Sequence, residues 1–273
     1  MSTPVNWEAV AFNQVPDSSN RIHSDEMAQS LGFTGALVPG VTVSAYLMHP
    51  GLLAWGPEFM EGSKAEITVH KPLYDGYNFG VIVSDVTSSS YVAVLKDSSG
   101  VLCATARVEL LNVLPELPEF RGDPLLNRDD QSLVATPENM ALLRVRGMLA
   151  MTSTWEPVHA MSKYLEDPRL MPELLRVDRG GKANASYLLG LTNGILSGNA
   201  SMNPWIHLQT TSCFFSTVDL GTELIVECSI KDLFNRKGHE FVDLDVSVFE
   251  RASKKAVMSA ELRAIYQVRG ATP

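Results

Sequence analysis

A chain of 273 residues with 45% hydrophobic content is long enough for one large domain or two small ones with filled cores. A net charge of -9 and a pI near 5.2 argue against a general nucleic-acid binder. The three cysteines, Cys103, Cys213 and Cys228, form no C-x-x-C pair, which argues against a disulfide framework and a zinc site.

Met1 to Val15 is mixed and polar, without the apolar core of a secretory signal. No apolar run reaches the ~18 residues of a membrane span, so a cytoplasmic protein is expected. Trp7 to Val15 is a short, partly apolar opening. Ser24 is placed to cap a helix over Asp25–Leu31, with Asp25 and Glu26 in its first turn and Gly32 at its end. Gly40 to Trp55 reads as a longer helix, apolar on all sides and therefore buried, with Pro50-Gly51 expected to bend it or end it early.

Strand-like runs follow at Ala65–His70, Phe79–Val86, Tyr91–Leu95 and Val101–Leu111, the last two joined across the turn Asp97-Ser98-Ser99-Gly100. Pro115, Pro118 and Pro124 mark a linker, which the charged stretch Arg121–Asp130 extends. The second half repeats the order. A helix is expected over Ala183–Ser197, then strands over Trp205–Ser216, Glu223–Lys231, Glu240–Glu250 and Lys255–Val268. The turn at Asp219-Leu220-Gly221 stands where Tyr74-Asp75-Gly76 stands in the first half. An internal repeat of about 130 residues explains this. The expected boundaries are a first unit over 1–115, a linker over 116–145 and a second unit over 146–273. Each unit wraps an antiparallel sheet around a central helix.

The stretch from Asn20 to Phe33 carries the chemistry. His23 sits in a polar loop ahead of the first helix and titrates near neutrality, as a proton carrier must. Pro39-Gly40 then opens the apolar helix, whose first free N–H groups, at Gly40 and Val41, are placed to hold a developing oxyanion. Gly40 has a second explanation, a close backbone approach that only glycine allows. Asn20 is suited to ordering the loop through its amide.

The pattern Asn-x-Ile-His-x-Asp, then Ala, Gly-Phe and a Pro-Gly that opens a helix, resembles the MaoC-like (R)-specific enoyl-CoA hydratases and dehydratases. The resemblance covers residues 15–112. In the second half only the element order agrees, and Pro204-Trp205-Ile206-His207 is similar to the degenerate repeat of double relatives. The resemblance implies an α+β, tandem (double) hot-dog fold and a hydratase or dehydratase that interconverts 2-enoyl and 3-hydroxyacyl thioesters. The thioester, of coenzyme A or of an acyl carrier, is the substrate, and no separate cofactor or metal is implied. A homodimer is compatible with it.

The resemblance makes His23 the catalytic histidine. The carboxylate that the family places five residues ahead of it falls on Ser18 here. Asp17, six residues ahead, is the candidate carboxylate, and an ordinary turn residue is its other reading. Two other functions remain open: an acyl-CoA thioesterase on the same fold, and a non-catalytic acyl-thioester-binding subunit. His70, His159 and His207 are alternative acid–base groups, with His207 expected to be a hydrogen-bonded structural residue. Lys64, Lys71, Arg144, Arg146, Arg179 and Lys182 are candidate contacts for phosphates.

Overall fold

The computed structural model describes residues 2–18, 20–30, 32–127 and 132–270. In the first half, strand β1 (Trp7–Val10) leads into a loop that carries a single 3-10 turn, Arg21–His23, and helix α1 (Asp25–Ser30). The expected end of that helix, Leu31, lies outside the described residues, as do residues 128–130 of the charged stretch. Helix α2 (Gly40–Trp55) and the short α3 (Pro57–Glu61) follow. Then come β2 (Ser63–Val69), β3 (Asn78–Ser84), β4 (Ser90–Asp97) and β5 (Leu102–Leu110). Between the halves run β6 (Leu133–Val134) and α4 (Pro137–Arg146). The second half contains β7 (Met151–Thr154), α5 (Ala185–Asn199), β8 (Ala200–Ser201), β9 (Ile206–Phe214), β10 (Glu223–Arg236), β11 (His239–Glu250) and β12 (Ala256–Gln267).

Ten strands form one antiparallel sheet in the order β1-β3-β4-β5-β2-β9-β12-β11-β10-β7. The order is the same from either end when each strand is exchanged for its counterpart in the other half. The halves join where β2 pairs with β9, from Ser63 opposite Phe214 to Thr68 opposite Gln209. Each half thereby covers one of its open edges with the other half. The helices α2 and α5 pack against each other under the sheet, within one continuous apolar core.

Helix α2 does not stop at Pro50, and three side-chain bonds show why. Proline has no N–H to give to the carbonyl one turn earlier. That carbonyl, of Tyr46, accepts from the Trp7 indole N–H at 3.1 Å instead. The Tyr91 hydroxyl then bridges the next step, donating to the Leu47 carbonyl (2.9 Å) and accepting from the Gly51 N–H (3.2 Å). The helix therefore continues to Trp55. Helix α5 starts at Ala185 rather than Ala183 because the Asn184 side chain caps it, accepting from the Tyr187 N–H at 3.0 Å.

The segment between the halves is more ordered than its prolines and charges suggest. Thr136 caps α4 through the Asn139 N–H, with Pro137 at the first helical position. Upstream of it, Phe120 and Leu125 cover an apolar patch on the outer face of the second half, around Phe215, Ile225 and Phe249. Fully buried Glu227 fixes this crossing. Its carboxylate accepts from the backbone N–H groups of Arg121, Gly122 and Asp123 at 2.8, 2.7 and 2.9 Å.

Candidate active site

The loop between β1 and α2 is held at several points. Asn13 donates from its backbone to Asp75 Oδ1 (2.8 Å) and from its side chain to the His23 carbonyl (2.9 Å). Buried Gln14 bonds to both central helices. Its carbonyl oxygen accepts from Thr42 of α2 at 2.5 Å, and its amide donates to Ser186 of α5 at 3.0 Å. Asp25 is exposed at the start of α1, and it also accepts from the Ala36 N–H at 2.7 Å, closing the loop toward α2.

Asn20 is buried and clasps the backbone of Trp205 in the second half. Its amide donates to the Trp205 carbonyl (3.0 Å) and its oxygen accepts from the Trp205 N–H (3.4 Å). This places Asn20 as a brace between the two halves.

His23 ends the 3-10 turn, with Nδ1 2.7 Å from the Leu37 carbonyl oxygen. A carbonyl only accepts, so Nδ1 carries the proton and Nε2 is the basic nitrogen of the neutral ring. Burial lowers the His23 pKa from 6.5, and the Leu37 bond opposes that shift. The ring is therefore a neutral base at physiological pH, and Nε2 has no bonded partner among the described residues.

His23 opens onto a cavity of about 210 Å³. From the first half the cavity is lined by Asn20, His23, Gly40 and Val43, with apolar walls from Phe33 and Leu73. The second half supplies Asn193 of α5 and Trp205, Ile206, His207 and Leu208 at the start of β9. The site thus lies between the two halves. Lys71 and His70 are exposed at its rim, and of the six candidate phosphate contacts only Lys71 lines it.

The helix start on this cavity is open. Pro39 precedes α2 and has no side-chain acceptor to offer. The Thr42 and Val43 N–H groups go to the Pro39 carbonyl at 2.9 and 3.0 Å. Those of Gly40 and Val41 have no acceptor among the described residues. Gly40 lines the cavity, whereas the Val41 side chain is buried in the core. The corresponding start of α5 is closed by Asn184, which accepts from Tyr187 and donates to the Met161 carbonyl at 2.9 Å.

Asp17 and Ser18 are not brought to the cavity. Asp17 is exposed in the turn after Pro16, and Ser18 Oγ accepts from the Asn20 backbone N–H at 3.2 Å. No Asp or Glu is among the lining residues described. The spacing of Asp17 from His23 is legible in the sequence, but its side chain is turned to solvent.

His207 is hydrogen-bonded, as the sequence suggests, and it also lines the cavity. Its Nε2 is 2.5 Å from Thr210 Oγ1 and its Nδ1 is 3.2 Å from Asn193 Oδ1. Complete burial pushes this imidazole down to about 4, so it stays neutral. Asn193 is the lining residue that the sequence reading missed. It is one of several polar residues along α5, with Ser186, Thr192, Ser197 and Asn199, and nothing in its local spacing sets it apart.

No protein-family model and no curated protein matches the chain. Solved structures do. A conserved hypothetical protein from Mycobacterium tuberculosis, itself a double hot-dog, superposes with a TM-score of 0.57 at 15% identity, over 97% of this chain and 96% of that one. The chain has the double hot-dog fold. A proposed MaoC-domain dehydratase from Chloroflexus aurantiacus gives 0.55 at 11% identity, covering 97% and 96%. A tesB protein from Mycobacterium avium subspecies paratuberculosis gives 0.54 at 11%, covering 97% and 94%. A proposed thioesterase II from Thermobifida fusca also superposes, with a TM-score of 0.50 at 11% identity over 86% of this chain and 89% of that one, and identities this low speak to the fold alone. Among the described residues no helix is long and apolar enough to cross a membrane.

Proposed function

We propose that this protein is a hydratase or dehydratase acting on short acyl thioesters, of coenzyme A or an acyl carrier. The observation that carries the reading is the pinned imidazole of His23, whose basic Nε2 belongs to an apolar cavity beside the open start of α2. The sequence motif around it favours water addition over other thioester chemistry.

One base suffices for the reaction. His23 Nε2 takes a proton from water as the water oxygen bonds to the third carbon of the enoyl group. The double-bond electrons shift toward the carbonyl, and the negative charge collects on the thioester oxygen. The Gly40 and Val41 N–H groups and the positive end of α2 hold that charge. The imidazolium then returns its proton to the second carbon. Asn20 acts as a positioning residue through its hold on Trp205. Asp17 takes no step in this scheme.

The cavity favours a short acyl group. Along α2 its lining is confined to Gly40 and Val43, and Leu47 one turn further is fully buried. Its volume lies below the roughly 300–1,000 Å³ of pockets for drug-sized ligands. The carrier moiety would lie outside, past Lys71.

A thioesterase is the second reading, favoured by the lack of a carboxylate among the lining residues described. There His23 would deprotonate water attacking the carbonyl carbon, and the imidazolium would protonate the departing thiolate. Crotonyl-CoA separates the two. A hydratase removes the enoyl absorbance without free thiol, and a thioesterase releases thiol. Tight binding with neither change would favour a non-catalytic subunit.

A further inference from the structure

The second half contributes a polar group to the site, and its hydrogen bonds fix which way that group faces. Thr210 is buried, and its hydroxyl has one partner among the described residues, Nε2 of His207 at 2.5 Å. A buried hydroxyl proton without an acceptor is costly, so Thr210 donates to Nε2. A neutral imidazole with an accepting Nε2 carries its proton on Nδ1. Nδ1 therefore donates to Asn193 Oδ1 at 3.2 Å. Asn193 is held by its oxygen, and its amide N–H groups have no acceptor among the described residues.

Asn193 lines the same cavity as His23, from α5 of the second half. Its distance from the oxyanion position is set by one ring. His207 packs directly on Gly40, at the open start of α2, and Asn193 is one hydrogen bond beyond His207. An amide donor at this remove from the thioester oxygen suits a second oxygen on the acyl chain. In the proposed hydration that is the oxygen on the third carbon.

We infer that Asn193 is a specificity-determining residue whose amide N–H donates to an oxygen on the acyl chain of the substrate, with Thr210 and His207 fixing its orientation. The inference rests on the thioester reading of the site and narrows its substrate class to acyl groups oxygenated at the third carbon. It also gives the second repeat, which lacks the His23 motif, a part in the site. The attacking water is then held between His23 of one repeat and Asn193 of the other, without a carboxylate.

The test is calorimetric titration of the full chain with acetoacetyl-CoA and butyryl-CoA. Both lack the enoyl double bond, and they differ by an acceptor oxygen on the third carbon. The parent chain should bind acetoacetyl-CoA about tenfold more tightly, the size of one well-placed hydrogen bond. Asn193→Asp keeps an oxygen for His207 but removes the donor. It should bind the two thioesters with equal affinity. Asn193→Leu should lose the preference as well. A preference that persists in Asn193→Asp, or one that is missing from the parent, overturns the inference and leaves the thioester reading standing. If neither thioester binds the parent chain, both readings fail together.

Discussion

The ring of His207 lies against Gly40 so closely that a methyl group on Gly40 would meet it at 3.1 Å. The contact ties the open end of the first central helix to the start of the strand that begins the second half of the sheet. It also explains the glycine, since Gly40 is needed for close approach to a side chain from the other repeat. Gly40→Ala should push His207 aside and disturb both the helix start and Asn193. We expect kcat/KM to fall about tenfold or more, because a displacement well under 1 Å at a reacting centre is costly. Alanine is the better helix former, so stability should change by less than about 1 kcal/mol. Steady-state kinetics and thermal melts check the two arms.

His23→Ala should lower turnover by at least about a hundredfold, the lower range for losing a general acid–base group. The fold should survive, since among the described residues the ring makes a single hydrogen bond, to Leu37. A folded variant of near-normal activity would remove His23 from the mechanism.

Asp17→Asn and Ser18→Ala should both be mild, with activity within a few-fold of the parent. Asp17 is exposed and away from the cavity, and Ser18 supports the Asn20 backbone. A severe Asp17→Asn effect on kcat would return the carboxylate to the mechanism.

The motif around His23 was legible because every part of it is local in sequence: the turn, the short helix, and the Pro-Gly that opens α2. The repeat was legible for a similar reason, since each half spells out its helix and strands in order. Contacts between the halves left no such trace. His207 and Asn193 reach the site through the pairing of β2 with β9 and the packing of α2 on α5, and no spacing within one segment encodes that. The β10–β11 hairpin runs to Arg236 and His239, past the expected ends, because its last residues are largely exposed on both faces and show little alternation. Pro50 misleads for a related reason. The sequence shows the missing N–H, but the indole of Trp7 and the hydroxyl of Tyr91 that compensate for it come from distant positions.

Tyr91→Phe tests that compensation. It leaves the Leu47 carbonyl and the Gly51 N–H without their hydroxyl bridge inside the core. We expect a loss of about 1–3 kcal/mol, the cost of leaving buried polar groups unsatisfied. Urea denaturation measures it, and an unchanged midpoint would mean that the helix does not need the bridge.

The histidines set two pH dependences. The proposed mechanism needs neutral His23, whose pKa burial lowers below 6.5, so kcat/KM should hold through neutral pH and fall only at more acidic pH. Stability responds through His49 and His207, both held near pKa 4 by burial. Their folded values lie below the ordinary 6.5, so the unfolded chain binds more protons between pH 6.5 and 4. Stability should therefore drop as the pH is lowered through that window, by about 1.4 kcal/mol per pH unit for each histidine. Replacing His49 with phenylalanine should flatten the slope, and an unchanged slope would place the titration elsewhere.

In the proposed reaction His23 delivers water to the acyl chain and not to the carbonyl. Crotonyl-CoA turned over in water labelled with oxygen-18 tests it directly, with the product read by mass spectrometry. A hydratase places the label on the third carbon, in an intact 3-hydroxybutyryl thioester, and His23→Ala should form almost none. Label in the carboxylate of a free acid, with coenzyme A released, would contradict it and make the protein a thioesterase.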